Sequence, residues 1–371
     1  MDSTKFYVIF MKSTNHSTLL MLSICGVLAI VVYLFVFVYP FFLSQQISVV
    51  EEEAEQTIVP LVPVQEEVSQ NPVDLSEAKF INLIVTKTEE IEGVEIRVRQ
   101  GWVVNPRTQD RQSIRIHEPT QGKDFPAVIL VPGGITDGTN FERTGEGIIS
   151  EADLLAIEGM VVIVYSPLGT GESYGEMDYQ GYQDQDGLAA IIQSTKTLPN
   201  VDATRVGLAS FSYGITGASG TLSRYEDLGV KFLIDYEGPS SRMSTTFGCR
   251  RDTPSGEEIA PADFSCDDED FWAQREASVF ITSANVSYYW RVQKKTDHAQ
   301  ENGYGHTLEM MQSAVGTIPW VKLNDDEVNE IYETEDDLSF IKDKNFFEGF
   351  IIPAILDLIE LTAVEEEVVT E

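Results

Sequence analysis

The residues with the clearest chemical potential lie in one stretch, 206–220, which reads Val-Gly-Leu-Ala-Ser-Phe-Ser-Tyr-Gly-Ile-Thr-Gly-Ala-Ser-Gly. A short apolar run meets Ser210-Phe211-Ser212-Tyr213-Gly214 and passes into small residues suited to a helix start. Where a buried strand turns sharply into a helix, the side chain at the turn stands exposed at the helix N-terminus. Small residues two before and two after it let the backbone close, and a hydroxyl at that point is placed for nucleophilic attack. The pattern is S-x-S-x-G, with Ser210 where the more usual form has glycine, and it marks Ser212 as the candidate nucleophile. Serine and glycine are common residues, so the elements around the pentapeptide have to carry the reading.

Those elements are present upstream. The run Phe125-Pro-Ala-Val-Ile-Leu-Val-Pro-Gly-Gly134 has the continuous apolar character of a strand buried on both faces and ends in Pro-Gly-Gly. A second such run, Met160-Val-Val-Ile-Val-Tyr165, leads into Ser166-Pro-Leu-Gly-Thr-Gly-Glu-Ser173. In their order these segments resemble the α/β-hydrolase fold over roughly residues 80 to 325. There, the first strand leads to an oxyanion-hole amide, the second to a glycine-rich loop, and the nucleophile turn follows about forty residues later. Pro132 stands where the oxyanion loop often has histidine, and Ser166 where the glycine-rich loop usually has aspartate. The resemblance implies a mostly parallel, doubly wound sheet and a serine hydrolase. Attack by Ser212 would form an oxyanion facing the amides of Gly134 and Tyr213, with no metal or cofactor needed.

The opening strands are expected near 80–85, 94–104 and 113–117, with helices over 147–158 and 186–195 between the parallel strands. Beyond the serine turn, Val230-Lys-Phe-Leu-Ile-Asp-Tyr-Glu-Gly-Pro239 forms another buried strand, with Glu237 near its C-terminal end. In open α/β sheets that end is where ligand-binding and catalytic groups collect. Residues 240–285 make a long insertion, read as a cap over the pocket. The strand at 287–293 runs into Lys294-Lys-Thr-Asp-His298, where Asp297 resembles the catalytic acid of the fold. The family's histidine normally follows the last strand, here 319–324, but the loop after it reads Asp325-Asp-Glu-Val-Asn329.

The chain has four histidines. His16 precedes the apolar N-terminal segment and His117 precedes the oxyanion strand, which leaves His298 and His306 as candidate bases. His298 adjoins Asp297 and has difficulty turning back onto it, whereas His306 lies nine residues further on in a glycine-containing loop and has the reach. Reach favours His306, with His298 the alternative. Asp297 is the first choice of acid, and Glu237 becomes eligible if the base lies after the seventh strand.

The remaining features place the catalytic body. Residues 19–43 are 25 residues without a charge, long enough for a helix to cross a bilayer, and they lack a signal-peptidase-like site. Lys5 and Lys12 precede them while Glu51, Glu52, Glu53 and Glu55 follow, so residues 1–18 are expected in the cytoplasm and the body outside it. Residues 44–78 read as an acidic, proline-containing tether and 79–329 as the hydrolase-like domain. Residues 330–371 read as an acidic helical stretch, a helix docked on the body or the membrane surface, and a disordered acidic tail. A net charge of −35, from 60 acidic and 25 basic residues, argues against nucleic acid as a partner. Cys25 falls in the apolar segment; Cys249 and Cys266 share the insertion on the expected external side, where a disulfide between them is anticipated. The expected activity is cleavage of an ester or peptide acyl bond in a small-molecule ester or peptide substrate. The alternative is a non-catalytic binding or adhesion module on the same fold.

Overall fold

The structure, a computed structural model, describes residues 70–145, 148–244, 266–296, 304–341 and 347–370. The apolar segment 19–43 and most of the acidic tether lie outside these residues, as do Cys249, Asp297 and His298. Among the described residues, no helix is long and apolar enough to cross a membrane.

Ten strands form one sheet in the order β1-β2-β3-β5-β4-β6-β7-β8-β9-β10. The sheet opens with antiparallel β1 (Phe80–Ile91), β2 (Val94–Val104) and β3 (Arg111–Pro119). Glu92 and Gly93 join β1 to β2, both with positive φ (52° and 86°), the backbone that lets a two-residue hairpin loop follow the strand twist. The parallel centre consists of β4 (Phe125–Val131), β5 (Val161–Tyr165), β6 (Val201–Phe211), β7 (Phe232–Tyr236), β8 (Tyr288–Val292) and β9 (Trp320–Leu323). Every residue of β5 (VVIVY), β7 (FLIDY) and β8 (YYWRV) is buried, as strands covered on both faces require.

Side chains alternate between two cores. On one face, Ala127, Ile129 and Val131 of β4 and Val206 and Leu208 of β6 pack beneath α2 (Tyr182–Lys196), α3 (Gly214–Arg224) and α6 (Gly305–Ala314). On the other, Val128, Leu130, Ala209 and Phe211 meet α1 (Glu151–Ile157) and α7 (Ile352–Thr370), which buries Ile352, Ala354, Ile355 and Leu358. The C-terminal helix thus docks on the body, and its backbone stays helical through Thr370, where a disordered acidic tail had been expected. Residues 330–337 hold only a 3-10 turn, Glu335–Asp337, rather than the expected helix. That segment has no apolar stripe to bury, and its clustered carboxylates repel one another at helical spacing.

Two connections matter for the site. Between the short α4 (Glu269–Trp272) and α5 (Ala277–Ile281) of the insertion, Arg275 donates to the carbonyl of Tyr179 (3.0 Å) and lies 3.6 Å from the centre of the Phe271 ring. At the far edge, β9 turns back through Asn324 (φ +53°) into β10 (Asp326–Glu327), which pairs with Leu323 and Lys322. A tight hairpin therefore occupies the place where the family pattern would put its histidine loop.

Candidate active site

β6 ends at Phe211 and α3 begins at Gly214, so the turn between them is Ser212-Tyr213. Ser212 has φ +52°, a backbone that a residue with a Cβ adopts at a cost of about 1–3 kcal/mol. The surroundings hold it there. The Ser212 amide donates to the Tyr236 carbonyl (2.8 Å), and the Ser210 hydroxyl to the Ile234 carbonyl (2.9 Å), so both neighbouring contacts of the turn run to β7. Ser210 suits this pattern because its side chain is used in binding the next strand.

The loop after β4 presses against the same turn. A Cβ at Gly133 would lie 2.2 Å from the Phe211 carbonyl oxygen, and one at Gly214 would lie 2.7 Å from that of Val131. Only glycine at both points allows two backbones to approach so closely. This contact brings Gly134 (φ +61°) beside the serine turn, together with Tyr213 at the N-terminus of α3. Among the described residues, the amides of Gly134 and Tyr213 donate to no other group, which suits them to an oxyanion. The loop after β5 closes the other side, where the Gln180 side chain donates to the Pro132 carbonyl (3.3 Å). Nearby, Asp184 is buried and Asp178 is partly buried. Burial, and then the charge of Asp178, push Asp184 up to about 7, while two backbone amides, those of Leu168 and Gln180, donate to its carboxylate.

Glu237 follows β7, is fully buried and has φ +49°, a second strained backbone at the C-terminal edge of the sheet. Its amide donates to the Val292 carbonyl (3.1 Å), and its carboxylate accepts from the Lys294 amide (3.1 Å). The Glu237 carboxylate is thereby fixed at the root of the loop that carries Asp297 and His298. Those two candidates themselves lie outside the described residues.

His306 sits in the first turn of α6, with 1% of its surface exposed. Its Nδ1 is 3.0 Å from the Gly238 carbonyl oxygen and 3.0 Å from Nη2 of Arg291. A carbonyl and a guanidinium are thus among the groups that face Nδ1. Arg291 belongs to a network that sequence reasoning missed. It stands in register opposite Asp235 on β7 and is ion-paired to it, and Tyr289 donates to the same carboxylate (2.7 Å). Asp235 in turn accepts from the Gly238 amide (3.0 Å), and Arg291 donates to the Gly238 carbonyl (2.8 Å). The pair therefore pins both ends of the turn that follows Glu237. A charge on β7 and an opposite charge on β8 were visible in the sequence, but their register was not.

An S-formylglutathione hydrolase from Agrobacterium tumefaciens superposes with a TM-score of 0.50 at 13% identity, covering 74% of this chain and 98% of that one. An acetyl xylan esterase from Paenibacillus sp. R4 gives 0.53 at 11%, covering 76% and 90%. No protein-family model matches the sequence, and no curated protein does. Sheet order, crossovers and serine turn define the class: the chain has the α/β-hydrolase fold, as its sequence motifs implied.

Proposed function

We propose that the protein is a membrane-anchored serine hydrolase that cleaves an ester or peptide acyl bond through an acyl-enzyme on Ser212. The observation that carries this reading is the strained Ser212 turn beside two undonated amides, one at a helix N-terminus (Tyr213) and one in the loop after β4 (Gly134). Both neighbouring structures named above are hydrolases of acyl groups by name, which is consistent with it.

In the proposed mechanism a histidine takes the Ser212 proton as Oγ bonds to the substrate carbonyl carbon, and the resulting oxyanion is held by the Gly134 and Tyr213 amides. Collapse of this intermediate breaks the bond to the leaving group, which departs with the histidine's proton. Water then repeats the sequence on the acyl-enzyme and frees the acid. We assign the base to His298 and the orienting carboxylate to Glu237. In support, the Glu237 carboxylate accepts from the amide of Lys294, four residues before His298 in the chain. Asp297 with His306 is the competing assignment. The anchor is residues 19–43, with the body outside the cytoplasm, as the charges flanking that segment suggest.

A fluorophosphonate probe tests the central claim. It is expected to label the protein at Ser212 and to leave Ser212→Ala unlabelled. A folded wild-type chain that takes up no probe would instead point to the non-catalytic binding module.

A further inference from the structure

Among the buried titratable groups that the mechanism does not use is an imidazole. His117 on β3 is 3% exposed, and both ring nitrogens face carboxylates: Nδ1 is 2.6 Å from Oδ1 of Asp153, and Nε2 is 2.9 Å from Oε1 of Glu142. The two carboxylates come from different elements. Asp153 lies in the first turn of α1 and is held there by Ser150, whose hydroxyl donates to it (2.7 Å). Glu142 ends the 3-10 helix Gly138–Glu142, which is the continuation of the loop carrying Gly133 and Gly134.

That 3-10 helix is wedged against the catalytic turn. A Cβ at Gly138 would lie 2.3 Å from the Tyr165 carbonyl oxygen at the end of β5. The Phe141 ring packs on Phe211, the residue before Ser212, at 4.8 Å between centroids. A displacement of Glu142 therefore acts on both the oxyanion loop and the residue beside the nucleophile.

We propose that His117, as an imidazolium bridging Glu142 and Asp153, is a positioning residue that clamps the outgoing end of the oxyanion loop and releases it when deprotonated. The reasoning is stoichiometric. An imidazolium carries two N–H donors, one for each carboxylate, while the neutral ring carries one and turns a lone pair toward the other carboxylate. The inference rests on the serine-hydrolase reading, since it is the oxyanion loop that the clamp serves.

The charged groups around the ring are few. Arg115, on the same strand, reaches Oε2 of Glu142 (2.9 Å) and lies 3.5 Å from Glu172 of the loop after β5. Lys87 of β1 acts on Asp153 from outside, and Glu151 and Arg143 flank the two carboxylates in sequence. The residues opposite His117 on β2 and β5, Val98 and Val162, carry no charge. Burial, the largest influence, pushes the imidazole down; hydrogen bonds to Asp153 and Glu142, and then their charges, more than reverse it and leave it above its usual 6.5. A raised value in the folded state means the clamp is fully present below about 6.5 and is lost as pH rises through the raised value.

Two measurements on the full chain test this. Histidine-labelled NMR, with His117 assigned through His117→Gln, is expected to give a titration midpoint above 6.5; a midpoint at or below 6.5 overturns the clamp. Steady-state kinetics on a short-chain activated ester form the second arm, using Glu142→Gln, a partly exposed position, in case His117→Gln folds poorly. Losing the clamp should lower kcat about tenfold, less than the loss of a whole oxyanion donor, with KM within about twofold; the alkaline limb of kcat should disappear in His117→Gln and move to lower pH in Glu142→Gln. An unchanged kcat and pH profile in folded variants refutes the inference while leaving the hydrolase reading intact. Absence of turnover and probe labelling in the wild type refutes that reading and, with it, the role of the clamp, whatever the NMR midpoint.

Discussion

Ser212 and Glu237 are non-glycine residues with left-handed backbone, each one step beyond the end of a neighbouring parallel strand. Strain of that kind persists only where surrounding contacts over-determine it, and here the amides of both residues are tied to the adjacent strand. The pairing argues that the sheet edge presents a hydroxyl and a carboxylate to one site, with a histidine needed between them. His298→Ala is therefore expected to lower kcat/KM for an activated ester by about three to four orders of magnitude, and Glu237→Gln by a comparable factor through loss of the oriented tautomer. His306→Ala should cost about tenfold, through its packing on Gly238, and Asp297→Asn less than Glu237→Gln. A dead His306→Ala beside a near-normal His298→Ala would return the base to His306 and the acid to Asp297. The turn at Ser212 was legible from sequence because such a turn is local, five residues whose sizes and order follow from one backbone bend. The choice between His298 and His306 is not local in this way: the Gly238 carbonyl and Arg291 that face His306 come from 68 and 15 residues away in the chain.

The serine turn is held between β4, β6 and β7, and the Glu237 turn between β7 and β8, so each turn depends on its neighbour. The Asp235–Arg291 pair is the strongest of these ties: both side chains are fully buried and they face each other across adjacent strands. Removing one partner leaves the other charge stranded in the core, which costs about 3–5 kcal/mol. Arg291→Met should accordingly lower the urea midpoint sharply, and Asp235→Asn/Arg291→Met together should be less destabilised than the sum of the two single changes. Strict additivity in that double-mutant cycle would show that the pair is not coupled. The strands themselves were readable because continuous apolar runs suit a sheet covered on both faces. Arg291 lay inside one such run, and a lone charge in a buried strand signals a partner without naming it. His117 posed the same difficulty: its two carboxylates belong to a helix and a 3-10 turn that come together only in the folded sheet.

At the scale of the whole molecule, the excess of acid argues for a solvated body away from anionic surfaces, and the apolar segment 19–43 argues for attachment to a membrane. Between the two in sequence lie residues 44–78, acidic and interrupted by Pro60, Pro63 and Pro72, a composition suited to an extended linker. Orientation then follows from Lys5 and Lys12 on one side and the glutamates from Glu51 to Glu55 on the other. An external body would meet an oxidising compartment, where the proposed bond between Cys249 and Cys266 would close a loop and remove about 3 kcal/mol of unfolded-chain freedom. One experiment reads both consequences. Protease added to intact cells should digest the body and leave a short membrane-protected N-terminal fragment. Thiol labelling of the denatured, unreduced chain should mark Cys25 alone. Full protection of the body from protease would reverse the orientation, and labelling of all three cysteines would remove the bridge.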